Sequence, residues 1–329
     1  MRVTPQLDTI SSIPIKADAG VEREPDITFD GANYIVVWSE GEFGGAHSVR
    51  AARVTPQGTV IDSGIPFGAG AYVEQRPGIA YDGVHCMAIW YHYQCTPYGV
   101  FGRFINSQAQ PEGATMTIRT TTNSHYFEPD IAFSAGNYLI VWNECTIGSG
   151  DDVFGQIVDS NGQLIGGVIP IAVGAAYESN PRICSADNGF LVVFSQSSNI
   201  YGQWVSANGQ LVGVNFEISD PGTCDRAYPD AAAGTNNCLT VWQQFSNNSY
   251  DIYGNVDISF GVNEADKSFV QKKTFKSLIV AGSVKEVLGH ERYTLYDTSG
   301  RKIEAEPRAP GVYFAEMDNQ TVTKIVKIR

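Results

Sequence analysis

Three aspartates of this chain could take part in acid–base chemistry, because they share one position of a repeated pattern. Each directly follows a proline: Asp26, Asp130 and Asp230. Carboxyl groups gathered around one cavity can cleave glycosidic bonds, or they can bind a cation such as calcium. Catalysis needs unlike groups in unlike roles, however, whereas a residue copied by an internal repeat is more simply a hydrogen-bonding acid. We predict a structural role first, cation binding second and catalysis third, also for Glu24 and Glu128, which precede two of the prolines.

A second candidate site is a cluster of aromatic residues where the chain departs from its own repeat. Its members are Trp90, Tyr91, His92, Tyr93 and Tyr98. Aromatic faces beside amide and imidazole donors are typical of carbohydrate binding, because sugar C–H faces stack while sugar hydroxyls need directional partners. The alternative is a rim loop that covers apolar surface. Two arginines next to repeat prolines, Arg76 and Arg182, are equally open to a structural or a functional interpretation.

The six cysteines indicate disulfides rather than a metal site, because the sequence contains no C-x-x-C pair. Cys95 and Cys145 follow the same strand in adjacent repeats, and we predict a bridge between them. Cys86 and Cys238 share one strand position and are predicted to be small buried side chains. Cys184 and Cys224 are left open, since they could pair with each other or with Cys238.

Motifs for nucleophilic, zinc-dependent or phosphate chemistry are missing from the sequence. It has no G-x-S-x-G, no H-E-x-x-H and no phosphate-binding glycine loop that opens a helix. We therefore predict a protein that is not an enzyme and needs no cofactor, apart from a cation such as calcium at the channel acids. The net charge of -13 argues against nucleic acid or an anionic membrane surface as a partner.

The elements that position these residues follow from a repeat of about 50 residues. The anchors are prolines spaced by 52, 52, 52 and 48 residues: Pro25, Pro77, Pro129, Pro181 and Pro229. Thirteen residues after each comes an aromatic side chain: Trp38, Trp90, Trp142, Phe194 and Trp242. Each unit reads as four strands, and the second strand, such as Tyr138 to Trp142, is apolar on both faces, so both faces must be covered.

Radial stacking of five such sheets predicts a five-bladed β-propeller over residues 1–263, with four-stranded antiparallel blades around a central channel. Residues 2–6 repeat residues 53–57 identically, which places the start of the chain in the middle of a blade. The last unit lacks a good copy of the fourth strand. We therefore predict that the N-terminal strand completes the last blade and closes the ring.

The remaining segment, residues 264–329, differs in composition and is predicted to be a separate small β-sandwich. Residues 1–264 carry 10 Lys and Arg against 27 Asp and Glu, whereas residues 265–329 carry 12 against 8. All six Cys and all five Trp lie in the first segment. Alternating apolar and polar residues around a central turn indicate an antiparallel sheet.

Three motifs of this tail resemble the C-terminal sorting domains of proteins exported by the bacterial type IX secretion system. They are LYDTSGRKI at residues 295–303, APGVYF at 309–314 and TKIVKIR at 323–329. The sorting residues that the resemblance implies are Gly311, Val312, Tyr313, Phe314, Lys324, Lys327 and Arg329. It implies an extracellular or outer-membrane surface location and the export machinery as a partner.

The propeller repeats resemble the PDIAFDG…NYLVVW blades of large bacterial surface proteins, a likeness that names no activity. We predict a secreted or surface-displayed binding or scaffold module that recognises a glycan or surface polymer in adhesion. One alternative is a self-assembling subunit of a homo-oligomer or filament. The other is a polysaccharide-cleaving enzyme of the five-bladed type. No apolar run approaches the roughly 20 residues of a transmembrane segment.

Overall fold

The fold is all-β, as shown by a computed structural model of the chain. The structure describes residues 2–3, 9–17, 20–41, 45–68, 73–93, 98–122, 128–146, 150–174, 176–186, 188–220, 224–234, 237–246, 248–259, 276–280, 293–297, 302–303, 311–317 and 322–327. Five antiparallel sheets follow one another in chain order, and strands that are consecutive in sequence are neighbours in each sheet. The predicted fold class, an all-β five-bladed propeller, is confirmed.

Each of these sheets is one blade. Blade 1 contains β3 (Val21–Phe29), β4 (Tyr34–Gly41), β5 (His47–Val54) and β6 (Val60–Pro66). Blade 2 contains β7 (Val73–Tyr81), β8 (Cys86–Tyr93), β9 (Tyr98–Ile105) and β10 (Pro111–Thr121). Blade 3 contains β11 (Asp130–Ser134), β12 (Asn137–Thr146), β13 (Gly150–Asp159) and β14 (Leu164–Ala172). Blade 4 contains β15 (Glu178–Ala186), β16 (Gly189–Gln196), β17 (Asn199–Ser206) and β18 (Leu211–Glu217). Blade 5 contains β19 (Asp225–Ala233), β20 (Asn237–Ser246) and β21 (Ser249–Ser259).

Local sequence explains the tight turn between the first two strands of a blade. In blade 1 the carboxylate of Asp30 accepts hydrogen bonds from the backbone N–H groups of Ala32 and Asn33, at 2.8 and 2.6 Å. Gly31 between them has a φ of 91°, a conformation that costs glycine little. Asp82 and Gly83 repeat the arrangement in blade 2. These turns fix the register of the hairpins that carry the first strands to the channel.

The core lies between the blades rather than within them. Separate apolar clusters fill the spaces between blades 1 and 2, 2 and 3, 3 and 4, and 4 and 5. The aromatic residue of the second strand is at most 6% exposed in every blade: Trp38, Trp90, Trp142, Phe194 and Trp242. The doubly apolar second strand is therefore explained by burial on both faces, as predicted from its sequence.

The N-terminal segment differs in detail from the predicted closing strand. Its two short strands, β1 (Arg2–Val3) and β2 (Thr9–Ser11), pair with each other, and the described part of blade 5 has three strands. Ile13 and Ile15 pack on the apolar face of blade 1 that is formed by Val36 and Trp38. Burial of these two side chains thus ties the segment to blade 1.

The tail contains β22 (Lys276–Val280), β23 (Tyr293–Asp297), β24 (Lys302–Ile303), β25 (Gly311–Met317) and β26 (Val322–Lys327). The described residues form one five-stranded sheet in the order β22-β26-β25-β23-β24, with β22 parallel to β26. The second layer of a β-sandwich stays a prediction, and the domain boundary at residues 263 and 264 lies outside the described residues.

The residues of the predicted sorting motif lie on two paired strands of this sheet. Gly311, Val312, Tyr313 and Phe314 are on β25, and Lys324 and Lys327 are on β26. Arg329 lies outside the described residues. A role in sorting stays a prediction. In the described part of the chain, no helix is long and apolar enough to cross a membrane.

Candidate functional site: a carboxyl-rich central cavity

A bulge around the repeat proline shapes the first strand of the blades. The register of the first strand shifts between Arg23 and Asp26, and it shifts at the equivalent place in blades 2, 4 and 5. The residue before the proline has a positive φ in each case: Glu24 (57°), Arg76 (51°), Asn180 (52°) and Tyr228 (53°). A non-glycine residue rarely adopts this backbone conformation, and backbone strain of this kind is concentrated at functional sites.

These bulges surround one cavity of about 310 Å³, to which all five blades contribute. It is lined by Glu24, Pro25, Asp26, Arg76, Pro77, Gly78, Glu128, Pro129, Asp130, Arg182 and Asp230. The lining contains five carboxyl groups and two guanidinium groups, so its formal charge is negative. The volume lies at the lower end of the range for small-molecule sites, roughly 300–1,000 Å³.

Two of the predicted channel acids connect neighbouring blades. Asp130 accepts hydrogen bonds from the backbone N–H groups of Ile131 (2.9 Å) and, in blade 4, Ile183 (2.9 Å). Asp26 accepts equivalent bonds from Ile27 (2.8 Å) and, in blade 2, Ile79 (2.8 Å). These bonds fix both carboxyl groups at the cavity wall.

The electrostatics of Asp130 set it apart from an ordinary surface carboxyl. Burial raises the pKa of Asp130 to about 7; the positive charge of Arg182 opposes this rise, and the negative charge of Asp26 adds to it. Burial also raises the pKa of Asp26, against the effect of its two backbone hydrogen bonds. A carboxyl group whose pKa lies near neutral pH is suited to act as a general acid.

The residues before the prolines form a second, connected ring. Arg76 Nη1 lies 2.6 Å from Glu128 Oε1, and Arg76 Nε lies 4.0 Å from Glu24 Oε1. Glu24 Oε2 accepts a hydrogen bond from the backbone N–H of Arg76 (2.8 Å). Asn180 Nδ2 donates to Glu128 Oε2 (2.6 Å). Side chains of four blades are thereby held in one polar network beside the channel acids.

The predicted aromatic site is mostly interior. Trp90, Tyr91 and His92 are 0%, 3% and 4% exposed. Trp90 contacts Phe67 of blade 1 edge to face at 5.8 Å, and His92 stacks on Phe101 at 3.9 Å.

Tyr98 packs against the cluster between blades 2 and 3. The side chain of Tyr93 lies outside the described residues. Burial of Trp90, Tyr91 and His92 leaves little of these rings for a sugar to contact, and glycan binding by the cluster stays a prediction.

The remaining predictions concern a disulfide, the third channel acid and a bound cation. Cys145 carries a free thiol, but its predicted partner Cys95 lies outside the described residues, so that bridge stays a prediction. Asp230 lines the cavity, and its carboxylate accepts a bond from its own neighbour, Ala231 (2.8 Å). Within the described residues, no three His, Cys, Asp or Glu side chains are grouped so that they could hold a metal ion.

Comparison with known proteins shows that solved structures have a similar fold. No protein-family model matches the chain, and no curated protein matches it. The GH43 endo-arabinanase from Bacillus licheniformis is 16% identical, with a TM-score of 0.44 over 73% of this chain and 95% of that one. Zg3597, a family 117 glycoside hydrolase from Zobellia galactanivorans, is 11% identical, with a TM-score of 0.45 over 74% and 86%.

The Hadza microbial sialidase Hz136 is 11% identical, with a TM-score of 0.50 over 72% of this chain and 56% of its own length. Identities this low show the fold alone. The prediction that the chain is not an enzyme is nevertheless withdrawn, since the similar structures named here are an endo-arabinanase, a family 117 glycoside hydrolase and a sialidase.

Proposed function

We propose that the chain is a glycan-cleaving hydrolase and that the central cavity is its active site. The observation that carries this proposal is the carboxyl group of Asp130, which borders the cavity with a pKa of about 7 and lies within electrostatic reach of a second carboxyl, Asp26. Glycoside hydrolysis requires such a pair, because one carboxylic acid protonates the leaving oxygen while a carboxylate acts as base or nucleophile.

Asp130 is assigned the role of general acid. Burial favours its protonated form, and the carboxylate left after proton transfer would retain the hydrogen bonds from Ile131 and Ile183. The positive charge of Arg182 also stabilises that carboxylate. These groups are already oriented before the proton leaves, so little reorganisation accompanies the step.

Asp26 is assigned the role of the partner carboxylate. It belongs to blade 1, whereas Asp130 belongs to blade 3, so the two acids approach the cavity from different blades. The backbone N–H groups of Ile27 and Ile79 hold its two oxygen atoms, and Arg182 favours its ionised form. Glu24, Glu128 and Arg76 then supply hydrogen-bonding groups for sugar hydroxyls.

The charge of the cavity favours a neutral glycan over an anionic one. Five carboxyl groups face two guanidinium groups, and a sialic or uronic acid would add another negative charge to this wall. The substrate class that fits is a neutral polysaccharide or oligosaccharide. An extracellular location and export through the tail belong to the same proposal and rest on the sorting motifs. Self-assembly stays a prediction.

The test measures release of reducing ends from a panel of neutral polysaccharides, including arabinan, xylan and agarose, with polygalacturonate and a sialoside as charged comparators. We expect cleavage of at least one neutral polymer. Asp130→Asn and Asp26→Asn should each lower kcat by roughly 10²–10⁴-fold.

Asp225→Asn, at an exposed position outside the cavity lining, serves as the matched control and should keep full activity. Thermal unfolding of each variant separates loss of activity from loss of fold. Binding of a glycan without any cleavage, or activity that Asp130→Asn leaves unchanged, would contradict the proposal.

A further inference from the structure

Two buried cysteines meet across the interface between blades 4 and 5. Cys184 lies on β15, Cys238 lies on β20, and their Sγ atoms are 3.7 Å apart. Cys184 is 8% exposed and Cys238 is 0% exposed, and both belong to the apolar cluster that joins the two blades. Among the cysteines that the structure describes, this pair brings two sulfur atoms into contact, although both are free thiols.

The two thiols differ in their readiness to lose a proton. The two Sγ atoms share a hydrogen bond in which either can be the donor, and this bond together with burial raises the pKa of Cys184. The same bond lowers the pKa of Cys238, against the effect of burial. The thiolate is the nucleophile in disulfide exchange, so one of the two thiols must lose its proton before the bond can form.

We propose that Cys184 and Cys238 form a disulfide that joins blade 4 to blade 5 when the chain folds in an oxidising environment. A disulfide has an S–S distance of about 2.05 Å, so the sulfur atoms need to approach by about 1.7 Å. The residue numbers place 53 residues between the two cysteines. A cross-link over a loop of this length restricts the unfolded chain substantially.

The oxidant is a low-molecular-weight disulfide such as oxidised glutathione. The thiolate of one cysteine attacks it and releases one glutathione thiolate, which leaves a mixed disulfide on that cysteine. The other cysteine then loses its proton and attacks the sulfur of the first, and a second glutathione leaves. Two S–H bonds are lost, one S–S bond forms, and two electrons and two protons pass to glutathione. Because both sulfur atoms are buried in the folded protein, the exchange takes place while blade 5 docks on blade 4.

The experiment refolds the full chain from denaturant in two buffers, one with oxidised and reduced glutathione and one with dithiothreitol, followed by alkylation and peptide mapping. Trypsin alone cannot decide the pairing, because residues 183–226 contain no internal Lys or Arg and carry both Cys184 and Cys224. A second cut by a glutamate-specific protease after Glu217 separates these two cysteines. We expect a cross-linked peptide that contains Cys184 and Cys238 only after oxidative refolding.

The stability of the two preparations provides a second readout. The oxidised protein should unfold at a temperature higher by roughly 5–15 °C. Cys238→Ala should abolish this difference, whereas Cys86→Ala should preserve it, because Cys86 occupies the same strand position in blade 2 and is 2% exposed.

If Cys238→Ala fails to fold, the peptide map of the unmodified chain still decides the question. Full alkylation of Cys184 and Cys238 after oxidative refolding, or a link from either to Cys224, would overturn the proposal. Neither outcome depends on the activity of the cavity.

Discussion

Asp130 in blade 3 accepts a 2.9 Å hydrogen bond from the backbone N–H of Ile183 in blade 4. The equivalent hydrogen bond links Asp26 in blade 1 to Ile79 in blade 2. The carboxyl groups that face the channel therefore also join neighbouring blades. A structural role and a catalytic role are compatible here, because the bonds that hold the blades together also orient the reactive groups. Stability and activity must for that reason be measured separately in every variant of these residues.

The structural role predicts unequal effects at equivalent repeat positions. Asp26→Ala leaves the buried N–H of Ile79 without its acceptor and should lower the free energy of unfolding by about 1–3 kcal/mol. Asp230→Ala removes an exposed carboxylate bonded to its own neighbour, and the change should stay within about 0.5 kcal/mol. Urea unfolding of both variants measures the difference, and equal losses would refute the inter-blade role of Asp26.

The raised pKa of Asp130 predicts a pH dependence of stability. Its value in the folded protein is about 7, against 3.8 for an ordinary Asp, so the folded state binds more protons than the unfolded state between these values. The contribution of Asp130 is fully present below pH 3.8 and is lost as the pH rises through 7. Asp130→Asn cannot titrate.

The unfolding free energy of the unmodified protein should therefore fall relative to that of Asp130→Asn, by up to about 1.4 kcal/mol per pH unit between pH 4 and 7. Denaturant titrations of the two proteins across this range give the measurement. Parallel pH profiles would show that Asp130 titrates normally.

An ion pair between blades 2 and 3, whose carboxylate is buried and whose guanidinium is partly exposed, predicts a large loss on truncation. Arg119 donates two hydrogen bonds to Glu144, from Nε at 2.9 Å and from Nη2 at 2.8 Å, and the Glu144 side chain is 7% exposed. Arg119→Ala should cost about 2 kcal/mol or more, because the buried carboxylate of Glu144 loses both of these charge-assisted hydrogen bonds. Arg103→Ala, which removes an exposed bond to the Gly113 carbonyl, is the control and should cost less than about 1 kcal/mol. A similar cost for both would contradict this prediction.

Gly155, in the third strand of blade 3, predicts a stability loss on substitution because its surroundings are closely packed. A Cβ atom on Gly155 would lie 2.9 Å from Ile171 Cδ1 and 3.0 Å from Leu139 Cδ1. Gly155→Ala should therefore destabilise the fold by about 1–3 kcal/mol. Gly167 lies in the same blade with no atom within 4 Å of such a Cβ, so Gly167→Ala should be tolerated. Thermal unfolding of the two variants compares the sites, and an unaffected Gly155→Ala protein would show that blade 3 has spare room.

The spacing of the prolines and aromatic residues was sufficient to predict five blades and the place of Asp26 and Asp130 near the channel, since both follow from periodicity. The spacing could not predict the burial of Trp90 and His92. That burial depends on contacts with Phe67 and Phe101, which no periodic pattern connects to them. Their departure from the repeat was interpreted as an exposed site, whereas it reflects local packing.

The sequence analysis ranked catalysis at the cavity last for a related reason. The three aspartates were taken as copies of one structural residue, but the same position holds glycine in blade 2 and Arg182 in blade 4. The residue before the proline varies even more, from Glu24 through Arg76 to Tyr228. Variation at two positions of an otherwise regular repeat was the available signal. What the sequence could not give was the bulge that turns these side chains toward one cavity.

That bulge leads to a prediction in which stability and activity change in opposite directions. Tyr228 is 63% exposed and holds a φ of 53°, and its counterparts Glu24 and Arg76 line the cavity. Strain of this kind costs about 1–3 kcal/mol in a non-glycine residue. Tyr228→Gly relieves it, while the greater freedom of glycine in the unfolded chain offsets about 0.4–1 kcal/mol.

The free energy of unfolding should therefore stay the same or rise by up to about 2.5 kcal/mol. If the exposed ring stacks on a bound sugar, as aromatic faces do at glycan sites, KM should rise several-fold with kcat nearly unchanged. Tyr228→Phe keeps the ring and the strain and should match the unmodified protein in both measurements. A destabilised Tyr228→Gly protein would contradict the strain argument, whereas an unchanged KM would remove Tyr228 from the substrate path and leave the assignment of Asp130 and Asp26 as it stands.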